Sequence, residues 1–513
     1  MQLVYGVKDK PKAGRLIVFA FQQLLAILAA TITVPMAVNS GALGDYGVDP
    51  ALSQSAALFG AGVGTIVYLL FTRFKSPVFL GSSFAFIGSM TSAFAGGVAA
   101  VKLGYLGLVL GAVFAGLVYV VLAVIVKFAG TKWIDKIMPA VVIGPTVAII
   151  GLSLAGSAVS NVINGGAFAD GSGYVTVVCG LVTLGVTIAC SVYGKKMLKM
   201  IPFIIGILSG YAVAAIFTGF SYIDGAPAAL RVIDFSIFEQ LKNAEAWYPA
   251  FTFIELFKGG ALDPGEFGSV GAAIGSVAVA YIPVAFVVFA EHLADHKNIS
   301  SVIESDLLKD PGLHRTLLGD GVGSIAGAFF GGCPNTTYGE SVGCVAISGN
   351  ASVRTILVTA CMAIVISFVA PFTLFLSSIP SCVMGGVCIA LYGFIAVSGL
   401  KMIQKVDLNE NKNLFVVSVI LIAGVGGFAM TFGKVVITSV ACALILGIIT
   451  NVLVNIRSKK ADAQAEVTAT TDGADGADDA ATAQDGEPAD NASIAETTET
   501  TEETSAAEDK ETK

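Results

Sequence analysis

Two stretches decide how this chain folds: Ser76-Pro77-Val78-Phe79-Leu80-Gly81-Ser82-Ser83-Phe84-Ala85-Phe86 and Cys333-Pro334-Asn335-Thr336-Thr337-Tyr338-Gly339-Glu340-Ser341-Val342-Gly343. Each has Pro near its start, runs on through residues that suit extended chain, reaches Gly and small hydroxyl side chains, and then resumes as a short apolar helix. Non-helical backbone at membrane depth leaves N–H and C=O groups without partners, so it persists only where protein or a cavity satisfies them. Helices restarting at Phe84 and Gly339 would turn free N–H groups toward a common cavity, a setting that suits carbonyl oxygens or anions. The other reading keeps both stretches as re-entrant loops that only pack.

Around these stretches lie apolar runs long enough to cross a bilayer, about 17–25 residues each. They fall at 16–38, 56–72, 78–100, 106–126, 137–158, 175–192 and 201–220. After a polar stretch at 221–266 they resume at 273–295, 317–332, 338–347, 356–376, 383–397, 414–431 and 435–454. The expected fold is therefore all-α and polytopic, with about fourteen segments. Each interrupted stretch is third in its set of seven. Matching interruptions in two halves point to an inverted-repeat transporter with its site at mid-membrane. The domain boundaries read from this pattern are a first repeat at about 14–220, an external insert at about 221–266 and a second repeat at about 267–457. A tail at 458–513 follows.

Composition agrees. Hydrophobic residues make up 55% and charged residues 13%, about half the charge of a soluble domain, with a mean hydropathy of +0.81. The net charge of −8 comes from the tail, where 16 acidic residues face 4 lysines, leaving the body near +4. That tail, rich in Ala, Thr, Asp, Glu and Gly, cannot bury enough apolar surface to fold and is expected to be disordered. Cations alternate along the body: Lys8, Lys10, Lys12 and Arg15 precede the first segment, Arg73 and Lys75 follow the second, and Lys127, Lys132 and Lys136 the fourth. Lys195, Lys196 and Lys199 follow the sixth, and Lys297, Lys309 and Arg315 the eighth. Lys102 and Lys434 are the exceptions in short loops. By the positive-inside rule both termini are cytoplasmic. The first run is too long, and lacks the cleavage site, for a removed signal. The eight cysteines form no Cys-x-x-Cys pair and read as small packing residues.

Two acidic sites stand out. Glu340 follows Gly339 at the start of an apolar half-helix with no base nearby in sequence. A lone carboxylate there either faces a cavity and a partner or ends a helix near the surface. Glu291 closes the apolar run 277–290 and precedes His292, Asp295, His296 and Lys297. On a helix Glu291 and Asp295 share one face and the two histidines an adjacent one. This group reads either as part of a site or as an ordinary helix end. The Glu-His-x-x-x-His pattern lacks a third ligand, so no metal is expected, and no other cofactor.

The segment 80–86, Ala290-Glu291-His292, Asp310-Pro311-Gly312-Leu313-His314-Arg315 and Pro334-Asn335-Thr336-Thr337-Tyr338-Gly339-Glu340 together resemble the uracil/xanthine permease branch of the nucleobase–ascorbate transporter family, and within it the bacterial uracil permeases. The resemblance covers roughly 6–454, apart from the insert. It implies a core domain and a gate domain, often as a homodimer, in a bacterial cell membrane, and proton-coupled uptake of uracil. Backbone N–H groups at Phe84 and Gly339 would meet the uracil carbonyls. Glu291 and Glu340 would accept from its ring N–H groups, Tyr338 would line the pocket, and Glu291 with Asp295 would couple the proton. Purine-transporting relatives typically carry Gln where this chain has Glu340, and uracil permeases often carry His where it has Asp295. Xanthine or urate is the alternative substrate. An anion carrier or channel would place cations at the half-helix starts instead. An intramembrane enzyme would need a metal set or nucleophile–base pair within the spans. No nucleic-acid partner is expected.

Overall fold

The computed structural model describes residues 3–166, 173–195, 197–258, 260–432 and 435–472. Lys196, Lys434 and the acidic stretch 473–513 lie outside them. The chain divides into two units, Met1–Asn455 and Ile456–Lys513.

The first half runs α1 (Ala13–Tyr46), α2 (Gln54–Phe71), β1 (Leu80–Ser82), a 3-10 turn at Phe84–Phe86 leading into α3 (Ile87–Ser92), α4 (Val101–Ala129), α5 (Ala140–Ser153), α6 (Ala155–Asn164), α7 (Gly173–Tyr193) and α8 (Pro202–Phe220). The second runs α9 (Val270–Ile303), α10 (Leu313–Gly331), β2 (Asn335–Thr337), α11 (Gly339–Ser348), α12 (Val353–Ile366), α13 (Ala370–Ser378), α14 (Ser381–Ile403), α15 (Asn411–Val425), β3 (Met430–Phe432), β4 (Val435–Ile437) and α16 (Ser439–Asp472). Among the described residues nine helices are long and apolar enough to cross a membrane, or ten if α12 and α13, bent by 85°, make one span. The other expected segments are the two interrupted ones, α10 with Arg315 and Asp320 inside it, and the shorter α15. Two sets of seven segments result, each with an extended stretch and a half-helix in third place. The extended stretches run antiparallel, as an inverted repeat requires.

The helices sort into two packed groups. One holds α1, α2, α4, α9, α10 and α12 around the interrupted segments. The other holds α5 to α8 with α14 and α15. In lipid, helices associate through close backbone approach at small residues. The seam between α2 and α10 is built this way, from Gly60 and Gly64 on one side and Gly319, Gly323, Gly327 and Gly331 on the other, each set spaced by four. A Cβ on Gly60 would stand 2.6 Å from the Gly327 carbonyl oxygen, and one on Gly64 2.7 Å from that of Gly323. The periodicity is visible in the sequence.

Several boundaries differ from the sequence reading. The fifth segment, expected to start at 137, breaks at Met138-Pro139 and again at Leu154. Helix α9 continues past Glu291 to Ile303, so the Glu291 cluster lies within a helix and not at its end. The last segment, expected from 435, begins instead with the antiparallel hairpin β3–β4. There the β-branched run Val435-Val436-Ile437-Thr438 follows Gly426-Gly427, and strand propensity outweighs apolar length. Helix α16 runs to Asp472, past the 458 boundary. The insert holds 3-10 turns and the short helix Thr252–Phe257. It is tied at one end by the Val232 and Ile233 N–H groups, which donate to Thr218 Oγ1 at 3.0 Å each, and at the other by Phe251 packed on Phe59 at 4.9 Å.

Replacing Gly64 by Val should lower the melting temperature of the purified protein, because forcing the α2–α10 seam apart costs about 1–3 kcal/mol. Gly44→Ala, at a position with nothing within 4 Å, should leave it unchanged or slightly raised.

Candidate functional site

The site is built on a three-residue ladder. Strand β1 pairs antiparallel with β2 in the register Leu80↔Thr337, Gly81↔Thr336 and Ser82↔Asn335. The Ser83 N–H donates to the Pro334 carbonyl at 2.9 Å and the Tyr338 N–H to the Phe79 carbonyl at 3.1 Å, one bond beyond each end. Side chains take up further backbone groups. Thr65 Oγ1 accepts from the Leu80 N–H at 2.9 Å and donates to its carbonyl at 3.1 Å. Ser341 Oγ accepts from the Phe79 N–H at 3.0 Å and from Gln23 Nε2 at 2.6 Å. The extended chain at membrane depth is thus satisfied by protein, as lipid demands.

Past the ladder, helix resumes at Phe84 on one side and at Gly339 on the other, as the sequence implied. The N–H of a first helical residue has no place in the intrahelical ladder and points out of the end. Gly81 is required by a close approach: its Cβ would lie 2.3 Å from the Tyr338 ring. That ring therefore lies against the strand, and its hydroxyl donates to the Ser82 carbonyl at 2.8 Å.

Phe84, Glu291, Asp295, Tyr338, Gly339 and Glu340 all line one cavity of about 290 Å³. Phe84 and Tyr338 are buried (6% and 2% exposed), whereas Glu291 and Glu340 are half-buried and Gly339 is open. Glu340 sits in the first turn of α11, where the helix dipole favours a negative charge. Glu291 and Asp295, one turn apart on α9, present one face to the cavity. Thr337 Oγ1 donates to Asp295 Oδ2 at 2.9 Å, tying that carboxyl to the ladder.

The adjacent face of α9 carries a polar network inside the core. His292 Nδ1 lies 2.7 Å from Asp320 Oδ2 and its Nε2 3.0 Å from Thr316 Oγ1. His296 Nδ1 lies 2.8 Å from the His292 carbonyl and its Nε2 2.7 Å from the Tyr68 hydroxyl, which also meets Ser76 Oγ at 2.7 Å. The two imidazoles stack at 4.0 Å. All four ring nitrogens are engaged, three of them in fixing α9 to α2 and α10 and the fourth, His296 Nδ1, within α9 itself. Among the described residues no group of His, Cys, Asp and Glu is placed to hold a metal ion.

Sequence reasoning missed two parts of this arrangement. Asp320 carried a usable signal, a lone carboxylate inside an apolar run. The other wall of the cavity, with Val147, Ser191, Phe203, Phe394 and Ser398 on helices that read as ordinary apolar spans, carried none, and Lys199 read only as a loop cation.

The Xan_ur_permease model, described as the permease family, matches residues 14–433. A uracil permease of Bacillus caldolyticus is 37% identical over 465 residues, 90% of this chain and 96% of that one. A uracil permease of Bacillus subtilis strain 168 is 36% identical over 473 residues, 90% and 98% of the two chains. A uracil permease of Escherichia coli K12 is 34% identical over 448 residues, 86% and 92%. Among solved structures, the murine Slc26a9 anion transporter in its inward-facing state matches with a TM-score of 0.55 at 12% identity, over 88% of this chain and 69% of that one. A second SLC26A9 structure matches at 0.53 and 12%, over 87% and 66%. These two show the fold alone. The chain belongs to the Xan_ur_permease family and is a multi-pass membrane protein.

Gly81→Ala should displace the Tyr338 ring and lower transport per folded molecule at least about tenfold, the equivalent of about 1.4 kcal/mol. Gly88→Ala, whose Cβ would meet only Thr438 Cγ2 at 3.4 Å, should stay within about twofold of the parent in the same uptake assay.

Proposed function

We propose that this chain, as a member of that permease family, imports uracil by proton symport across a bacterial cell membrane, with both termini in the cytoplasm. The observation that carries the reading is the convergence of two half-helix starts and three carboxyl groups on one cavity. Uracil alternates N–H donors and C=O acceptors around a small planar ring. In the proposed pose the N–H groups of Phe84 and Gly339 donate to its carbonyls, and Glu291 and Glu340 accept from its ring N–H groups. Tyr338, its hydroxyl already spent on Ser82, offers the ring only a face. A site matched in this way rejects analogues that leave one of its buried polar groups unpaired.

A carboxylate, Glu340, where an anion carrier would place a cation at the half-helix start, speaks against an anionic substrate. The names of the relatives, together with Glu340 in place of the Gln typical of purine carriers, favour uracil over xanthine or urate. The coupling proton loads on Glu291 from outside, and Asp295, one turn away and held by Thr337, relays it. The group containing α1, α2, α4, α9, α10 and α12 then moves against the other group and releases proton and base together to the cytoplasm. Such movement exchanges which side reaches a fixed midplane site.

In cells lacking their own permease, Glu340→Gln should weaken uracil binding about 10- to 100-fold, the range for losing a charged hydrogen bond. Glu291→Gln should abolish accumulation of labelled uracil. Unimpaired uptake by both variants would overturn the site. A protonophore should collapse accumulation by the parent, and persistence of the gradient would remove the coupling. Excess thymine and 5-fluorouracil, which keep the donor–acceptor edge and add only a small group at C5, should compete, whereas xanthine, which keeps that edge but adds a fused imidazole ring, should not.

A further inference from the structure

Behind the cavity, between α4, α9, α10 and β2, lies a second and much smaller pocket of about 10 Å³, lined by Tyr119, Asp320, Asn335, Ser324, Phe86 and Val288 among others. Three of its polar atoms are buried without a hydrogen-bond partner: the Tyr119 hydroxyl, Asp320 Oδ1 and Asn335 Oδ1. Their residues are 4%, 1% and 2% exposed. The second functional atom of each planar group is already engaged. Asp320 Oδ2 meets His292 Nδ1 at 2.7 Å, and Asn335 Nδ2 donates to the Gly60 carbonyl at 3.0 Å.

That second bond fixes which way the Asn335 amide faces. Its nitrogen points to α2, so its oxygen, an acceptor only, is the atom turned to the pocket. The amide is also wedged in place, since a Cβ on Gly64 or on Gly327 would lie 2.3 Å from its nitrogen. The Tyr119 ring stands edge-on to His292 with centroids 6.1 Å apart, beside the Asp320 pair. The pocket therefore presents two acceptors, Asp320 Oδ1 and Asn335 Oδ1, and one hydroxyl. One hydroxyl proton serves one acceptor and leaves the other buried and unpaired, at a cost of about 1–3 kcal/mol.

We infer that this pocket is a binding site for a single water molecule, which donates one O–H to Asp320 Oδ1 and the other to Asn335 Oδ1 and accepts the Tyr119 O–H. The size agrees, since about 10–15 Å³ of this kind of volume holds one water and nothing larger. The count closes with no group left over: two acceptors meet two donors, and the remaining hydroxyl meets a lone pair. The water joins three elements that no direct side-chain bond joins here. It links α4 through Tyr119, α10 through Asp320, and β2 through Asn335, the residue paired with Ser82 at the end of the ladder. The segment bearing Thr336, Tyr338 and Gly339 is thereby braced from behind, on the side away from the cavity. The inference rests on donor and acceptor bookkeeping alone and stands whichever base the cavity holds.

The test is a structure of the full-length protein at a resolution that orders solvent, collected with and without sodium in the buffer. The expected result is one isolated peak about 2.7–3.0 Å from all three oxygens, present in both buffers. Tyr119→Phe should keep the peak on its two acceptors and speed amide exchange at 335–337 several-fold relative to the parent. A peak that appears only with sodium, with shorter contacts to additional oxygens, would make the pocket a cation site and overturn the inference. A dry pocket with Asp320 and Asn335 drawn into direct contact would overturn it as well, as would amide exchange in Tyr119→Phe identical to the parent.

Discussion

The structure depends on an antiparallel ladder of three residue pairs between Leu80–Ser82 and Asn335–Thr337. An unsatisfied peptide group in hydrocarbon costs several kcal/mol, so neither stretch could stay extended at membrane depth alone. Paired, each supplies the other's partners, and the side chains of Thr65 and Ser341 take up much of the rest. The ladder sets where the two half-helices begin, and with them the cavity that their first residues share with Glu291, Asp295 and Glu340. Helix α9 is locked in rotation by the network on its other face, where His292 is bound to Asp320 and His296 to Tyr68. The acidic face therefore has one direction open to it, toward the cavity.

This division explains why one helix carries two kinds of polar residue. Residues 291 and 295 line the cavity, whereas 292 and 296 have every ring nitrogen engaged. A fully satisfied buried network is rigid and specifies one arrangement. A site that must bind and release benefits from such a backing, because its geometry need not be rebuilt at each turn of the cycle. The glycine seam between α2 and α10 acts in the same direction. It brings Gly60 close enough to accept from Asn335 and so anchors the end of β2 to a neighbouring helix.

Much of this was legible in the sequence because membrane backbone obeys few rules. Pro77 and Pro334, the extended residues after them and the restart at Phe84 and Gly339 were readable as broken segments, and the four-residue spacing of Glu291 and Asp295 as one helical face. The limits were equally physical. Apolar length alone did not separate the β-branched run at 435–438 from a helix start, nor foresee the 85° bend between α12 and α13. The second wall of the cavity uses Phe203, Phe394 and Ser398, residue types common in any membrane helix, so only the packing reveals them. Asp320 was open to recognition as an intramembrane acid, but its partner, His292, lies 28 residues away.

The most direct measurement is the structure of the protein with uracil bound. The account predicts the ring between the two half-helix starts, its carbonyls facing the N–H groups of Phe84 and Gly339 and its ring nitrogens within about 3 Å of the Glu291 and Glu340 carboxyl groups. A ring seated elsewhere, or one turned so that its carbonyls face those carboxylates while the ladder between 80–82 and 335–337 is broken, would contradict it.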